Sequence, residues 1–285
     1  MNHVLKNQPS THTVVFTDDD GEGNALTAVP TYAAVDASGT AVQSGTASET
    51  ATVTGGYEFV LTAASADTPK VLTITWTGAL DELAQTQVTH AEVVGDYLFT
   101  IAEARAFERA AITATKASTA EIKVARAEIT EFLTKAIGAS PVERAFREVH
   151  DGDGKDYLWL WTSEVNTIKT LTIDGTSITV DDDVVRWDAG RLYYSGAFPV
   201  GRQTVVVTLE AGFVPTPLQL KRASLVLLKS MVIGSDLMDR AITSTDEAGN
   251  IFRLATADPY RDKPTGIPYV DSIINTYRGL DWTVA

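Results

Sequence analysis

Apolar and polar positions alternate with period two up to about residue 97. The segments THTVVFT, ALTAVPTYAAVD, GYEFVLTA, KVLTITWTG and TQVTHAEVVGDYLF are rich in Val, Thr and aromatics, and Gly, Asp and Ser separate them. That is the composition and punctuation of β-strands. Alternation is clearest in VLTITWT, where Leu72, Ile74 and Trp76 share one face. The pattern predicts an immunoglobulin-like β-sandwich over residues 1–97.

At Thr100 the period changes to that of a helix. Thr100 and Glu103 have capping-box spacing, in which each side chain satisfies the other's backbone N–H, and Ser118 and Glu121 repeat it. After the second box Ile122, Ala125, Ile129, Phe132, Leu133 and Ala136 recur at helical spacing, and Gly138 supplies the stop. Ser140, Pro141 and Glu143 read as a third helix start, with Val142, Ala145, Phe146 and Val149 as its apolar face.

From Asp156 to about Phe213 the period returns to two, in YLWLWTS, IKTLTID, SITV, RLYYSG and QTVVVTLEAG, with Asp174-Gly175 as a hairpin turn. Thr216-Pro217 opens a further helix, LQLKRASLVLLKSMVIG, apolar around most of its circumference and so expected to be deeply buried. A late hairpin is predicted over residues 241–255, turned on Gly249. A closing helix is predicted over 267–279, where Val270, Ile273, Ile274 and Tyr277 form a stripe. The expectation is an α+β multidomain protein. A sandwich precedes a helical bundle domain, 98–285, that carries an inserted antiparallel β subdomain at about 156–213.

Charge sharpens this picture. The 285 residues carry a net charge of −14, and up to Phe99 two lysines stand against twelve acids, leaving −4 for the remainder. A nucleic-acid grip needs clustered Lys and Arg, so this balance argues against one, although it permits DNA to pass by. The chain lacks cysteine, which excludes disulfides and thiolate metal sites. It has no apolar run long enough to span a bilayer, and its N-terminus lacks the order of a signal peptide, so no membrane association is expected.

Candidate chemistry is sparse. DGDGKD, residues 151–156, begins like a calcium loop, but the twelfth position, where a bidentate acid would close the shell, is Thr162. It reads as a turn. The acidic triplets 18–20 and 181–183 read as charged loops. His3, His12, His90 and His150 are far apart and form no HExxH pair. With no GxSxG elbow and no phosphate-cradling loop, neither catalytic residues nor a cofactor or metal site is expected, and the chain is expected not to be an enzyme. Tyr157, Trp159 and Trp161 alternate with Leu158 and Leu160. With Trp187, Tyr193 and Tyr194 they could stack on sugars, but a strand covered on both faces, outwardly by a helix or another subunit, is the favoured reading.

The order of parts from Thr100 onward resembles the head-to-tail adaptor, or head-completion connector, family of long-tailed bacteriophages. The segments that carry the likeness are LFTIAEARAF, LTIDGTSITV, GRLYYSG, QTVVVTLEAGF, PTPLQLKRA, ITSTDEAGNIFRLAT and TGIPYVDSIINTYR, about two thirds of the chain. A Gly-Ile-Pro-x-Val-Asp helix, here Gly266 to Asp271, and the aromatic-Arg pair Tyr277-Arg278 are the most particular. The N-terminal sandwich departs from the minimal family pattern. The resemblance implies a structural virion protein, made in the bacterial host cytoplasm, that forms a ring of about twelve copies beneath the portal. Such a ring prolongs the DNA channel and meets the portal protein on one side and the next neck or tail-completion protein on the other; the sandwich, expected on the outer rim, would shield the neck or contact the capsid. A short amphipathic helix is marginal alone, so Tyr269, Val270, Ile273, Ile274, Tyr277, Arg278 and Trp282 are the expected interface residues. The competing expectation folds that helix back on its own domain; both hold if Val270, Ile273 and Ile274 face inward and Tyr269, Tyr277 and Trp282 meet a neighbour. Two other roles fit the same sequence: another neck or tail-completion protein, or a carbohydrate or host-surface binding module.

Overall fold

The computed structural model describes residues 2–17, 20, 22–51, 53–80, 83–181, 184–188, 190–233, 241–243, 253–254 and 263–278. The chain divides into two compact units, Met1–Gly95 and Asp96–Ala285.

The first unit contains strands β1 (Asn2–Leu5), β2 (Ser10–Val15), β3 (Thr31–Asp36), β4 (Ala41–Thr46), β5 (Ser48–Glu49), β6 (Gly56–Leu61), β7 (Lys70–Leu80) and β8 (Leu83–Val94). They form a sheet of order β1-β8-β7-β3-β4 and another of order β2-β6-β5. Strand β1 runs parallel to β8, and the remaining pairs are antiparallel. Alternation puts one face of each sheet into a common core. Phe59 of β6 stacks on Tyr32 of β3 at 3.8 Å and lies 5.3 Å from Trp76 of β7. The polar tips are satisfied as burial requires: Trp76 Nε1 donates to Thr89 Oγ1 at 3.0 Å, and Leu26 N donates to the Tyr57 hydroxyl at 2.8 Å. Tyr32, Tyr57, Phe59 and Trp76 are therefore core, and form no exposed aromatic groove.

The second unit begins with α1 (Ile101–Ala110) and α2 (Thr119–Ile137), both opened by the expected capping boxes. Glu103 N donates to Thr100 Oγ1 at 3.1 Å while Thr100 N donates to Glu103 Oε2 at 2.6 Å, and Ser118 with Glu121 does the same. Gly138 ends α2 at φ +88°, a left-handed conformation that side chains disfavour. Strands β9 (Arg144–Gly152), β10 (Tyr157–Trp159), β11 (Val165–Ile173), β12 (Thr176–Ile178), β13 (Val185–Asp188), β14 (Arg191–Tyr194) and β15 (Gly201–Ala211) follow. They make a four-stranded sheet, β12-β11-β15-β9, and a three-stranded sheet, β10-β14-β13. These share a core that includes Leu158, Leu192, Ile168 and Val207. Asp174 and Gly175, at φ +48° and +77°, form the β11–β12 hairpin turn.

Helix α3 (Leu218–Val232), the short pair β16 (Ala241–Thr243) and β17 (Arg253–Leu254), and α4 (Pro268–Arg278) complete the unit. Strands β16 and β17 pair antiparallel, and the Gly249 turn expected between them lies outside the described residues. Helices α2, α3 and α4 bury Ile122, Ile129, Leu133, Leu220, Leu228, Val270 and Ile274 against one another. Helix α3 buries one stripe, while Leu218 and Met231 stay exposed, so it is less enclosed than its apolar circumference suggested.

The expected helical bundle domain is overturned. Among the described residues strands hold 41% and helices 23%, so the protein is mostly β and its helices share a core distinct from that of the neighbouring sheets. The clearest misreading is the third helix after Ser140. That stretch is strand β9, paired with β15 from Ala211↔Arg144 to Gly201↔Gly152. Its inward face carries Arg144, Glu148 and His150, polar groups buried because each has a partner. Counting apolar residues along β9 finds helical spacing at 142, 145, 146 and 149 and overlooks that polar face. The β region accordingly starts near residue 144, before the expected limit of 156.

Candidate interaction surfaces

The terminal helix is seated by the motif that carried the resemblance. Gly266 adopts φ +70°, which turns the chain so that Ile267 is buried and Pro268 occupies the first helical position. Asp271 Oδ1 accepts from Thr265 N at 2.9 Å and Thr265 Oγ1 at 2.6 Å, and that hydroxyl in turn accepts from Ile267 N at 3.1 Å. The carboxylate also lies in the first turn, where the helix dipole favours negative charge. Val270, Ile273 and Ile274 enter the core of their own unit. Tyr277 meets Phe213 edge-on at 5.4 Å, and Arg278 Nε donates to Ala136 O at 2.8 Å at the end of α2. Among the seven residues expected at an interface, these five therefore join one seam within the unit. Tyr269 keeps 39% of its surface exposed, with the Arg222 guanidinium 5.6 Å from its ring centre. Trp282 lies outside the described residues.

The opening of the second unit is gripped from two helices. Arg126 of α2 is buried, donates from Nη1 to Phe99 O at 3.1 Å, and stacks 3.6 Å from the Tyr97 ring centre. Burial pulls its guanidinium below the ordinary value, and the neighbouring Tyr97 opposes that pull. Lys221 of α3 pairs with Asp96 at 3.1 Å.

A second arrangement, missed by sequence reasoning, holds the segment after β10. Glu148 Oε2 accepts from Trp161 N at 3.0 Å, Glu148 Oε1 from Thr162 N at 2.8 Å, and His150 Nε2 lies 2.6 Å from Oε2. Burial alone would raise the Glu148 pKa, but hydrogen bonds from His150, Thr162 and Trp161 outweigh it and the value is lowered. An ionised carboxylate only accepts, so His150 Nε2 carries the proton in this contact. The His150 ring lies 4.4 Å from that of Trp161. Two internal acceptor–donor sets thus fix a tryptophan that is 70% exposed.

Beside it lies the outer face of the three-stranded sheet. Tyr157 pairs across strands with Tyr193, Trp159 with Arg191, and Arg186 with Tyr193. The inner face takes Leu158, Val185 and Leu192, while Trp159 is 48% exposed and Tyr193 and Arg186 are also exposed. The Arg191 guanidinium lies 4.2 Å from the Trp159 ring centre. The strand read as covered on both faces is thus covered within the unit on one. Trp187 turns inward, its Nε1 donating to Val165 O at 3.2 Å, which removes it from the exposed aromatic set. Alternation in RLYY already put Arg191 beside Tyr193, but which strand lay next to them was not legible.

The residues weighed as metal ligands are spent locally. Asp151 Oδ1 accepts from Gln203 N at 2.7 Å, and Asp153 pairs with Lys155 at 2.8 Å, so the DGDGKD turn uses these carboxylates within the sheet region. His3 lies 3.5 Å from Glu92, His12 2.9 Å from Ser10 Oγ and His90 3.4 Å from Thr73 Oγ1. Asp18, Asp19, Asp182 and Asp183 lie outside the described residues. Among the described residues no helix is long and apolar enough to cross a membrane.

No protein-family model matches this sequence, and no curated protein matches it. Among solved structures, one similar chain belongs to a structure described as "Neck of empty GTA particle computed with C6 symmetry". The two share 18% identity at a TM-score of 0.43, over 64% of this chain and 89% of that one.

Proposed function

We propose that this chain is a non-catalytic structural subunit of the neck of a tailed-phage particle, acting as a head-to-tail adaptor. Copies associate side by side in a closed ring of about twelve. The ring meets the portal, prolongs the DNA channel and carries the next neck or tail-completion component, without cofactor or metal.

The observation that carries this reading is the seat of the terminal helix. The Gly266 to Asp271 segment, the most particular element of the resemblance, forms a closed set of hydrogen bonds among Thr265, Ile267 and Asp271 and locks α4 onto α2 and α3. A motif with so specific a structural task is a marker of the domain, and it leaves Tyr269 facing outward. The order of strands in the first unit, β2-β6-β5 opposite β1-β8-β7-β3-β4, supports an immunoglobulin-like module. We assign that module to the outer rim, where it reaches the capsid. Its acid excess keeps a many-copy protein soluble.

Electron microscopy of the purified protein mixed with its portal tests the proposal. Rings stacked on the portal are expected, and disrupting the gene should leave filled heads without tails. Absence of the protein from mature particles, or turnover of a small molecule, would overturn it.

A further inference from the structure

We propose that the outer face of the β10-β14-β13 sheet is a docking surface for a second copy of this chain. The inference rests on the ring reading, because a head-to-tail ring needs two unlike patches on each subunit, and it identifies one of them.

The composition of the face is unlike that of the chain around it. Trp159, Tyr193, Arg186 and Arg191 converge on one small sheet, with exposed Trp161 on the adjoining segment. Tryptophan, tyrosine and arginine are the residues that dominate binding hot spots, whereas ordinary surface is Lys- and Glu-rich. Arg191 is prepared for a partner. Its guanidinium lies 4.2 Å from the Trp159 ring centre, which holds the plane in place. A planar guanidinium held in this way is ready for bidentate contact with a carboxylate at little further entropic cost. Lys155, near the Tyr157 ring, is already paired with Asp153. Asp188, cross-strand neighbour of Arg191, is the exposed acid on the face.

Charge complementarity selects the occupant. Up to Phe99 a second copy carries twelve acids against two lysines, so it offers carboxylates in excess of the single Asp188 that stands beside the two arginines. Duplex DNA fits less well. Two arginines displace few counterions, and the acidic chain repels phosphate.

The test uses the full-length chain in native mass spectrometry and sedimentation velocity at low and high salt, with thermal unfolding as the folding control. The Trp159→Ala/Arg191→Glu variant should weaken self-association by about tenfold or more while unfolding at the same temperature. Arg186→Glu, at an exposed side chain, supplies an independent variant with the same expected direction, and Arg191→Lys should retain part of the association. Variants that assemble like the unaltered chain would overturn the inference and leave the ring reading standing. An unaltered chain that stays monomeric at every concentration would overturn both. Loss of binding to a labelled duplex with self-association intact would assign the face to nucleic acid and overturn the inference as well.

Discussion

The two small β regions of this protein use the same alternating pattern to opposite ends. In the first unit Trp76 is wholly enclosed, between Phe59 and the neighbouring strands, with its indole N–H satisfied by Thr89. In the second unit the three-stranded sheet puts leucines inward and leaves Trp159 in the open with an arginine laid on it. Both segments read as aromatic-rich strands. What differs is the number of sheets that cover them, and so whether a tryptophan serves stability or recognition.

The comparison is most sharply tested at the tryptophans. Trp76→Ala removes a fully buried indole and should cost about 3–5 kcal/mol, enough to unfold the first unit, measured by denaturant titration. Glu148→Ala strands two backbone N–H groups and His150, and should cost about 2–3 kcal/mol in the same assay. It should leave the fluorescence maximum nearly unchanged, since Trp161 is already exposed, whereas Trp76→Ala removes a buried emitter and should shift the maximum to the red. The Glu148 contribution carries a pH signature. Its pKa is lower in the folded state, so the stabilisation is complete above the ordinary glutamate range, about pH 4 to 5, and fades as pH falls through the lowered value. Unfolding midpoints of the unaltered chain and Glu148→Gln should converge on acidification.

Smaller effects are expected where neither kind of tryptophan is involved. Asp271→Ala frees Thr265 N–H and should cost about 1–2 kcal/mol, visible as faster hydrogen exchange in α4. Smallest of all, Trp159→Ala should change stability by no more than about 0.5 kcal/mol by calorimetry, although it removes a residue of the same type as Trp76. A large loss at Trp159 would show that this ring is structural and break the comparison.

Local chemistry accounts for what was legible. The capping boxes at Thr100 and Ser118, the stop at Gly138, the Asp174-Gly175 turn and the seat of the last helix at Pro268 are each decided within a few residues. Strand β9 was not legible because its buried face holds Arg144, Glu148 and His150, whose burial depends on partners remote in sequence, such as Glu131 for Arg144. The interface residues expected on α4 had a pattern compatible with either docking in their own unit or docking on a neighbour. Periodicity reports that a stripe must be covered and is silent about what covers it.

The sequence by itself therefore determined where α1, α2 and the last helix begin and where α2 stops, the acid-rich character of the first unit and the amphipathic stripe of the last helix. Tertiary structure alone decided that the mostly β architecture prevails over a bundle, that Trp76 is enclosed while Trp159 is displayed, and that Arg191 lies on the latter. The reason is physical: capping and turn preferences act between near neighbours, whereas burial and cross-strand pairing depend on segments brought together only by folding.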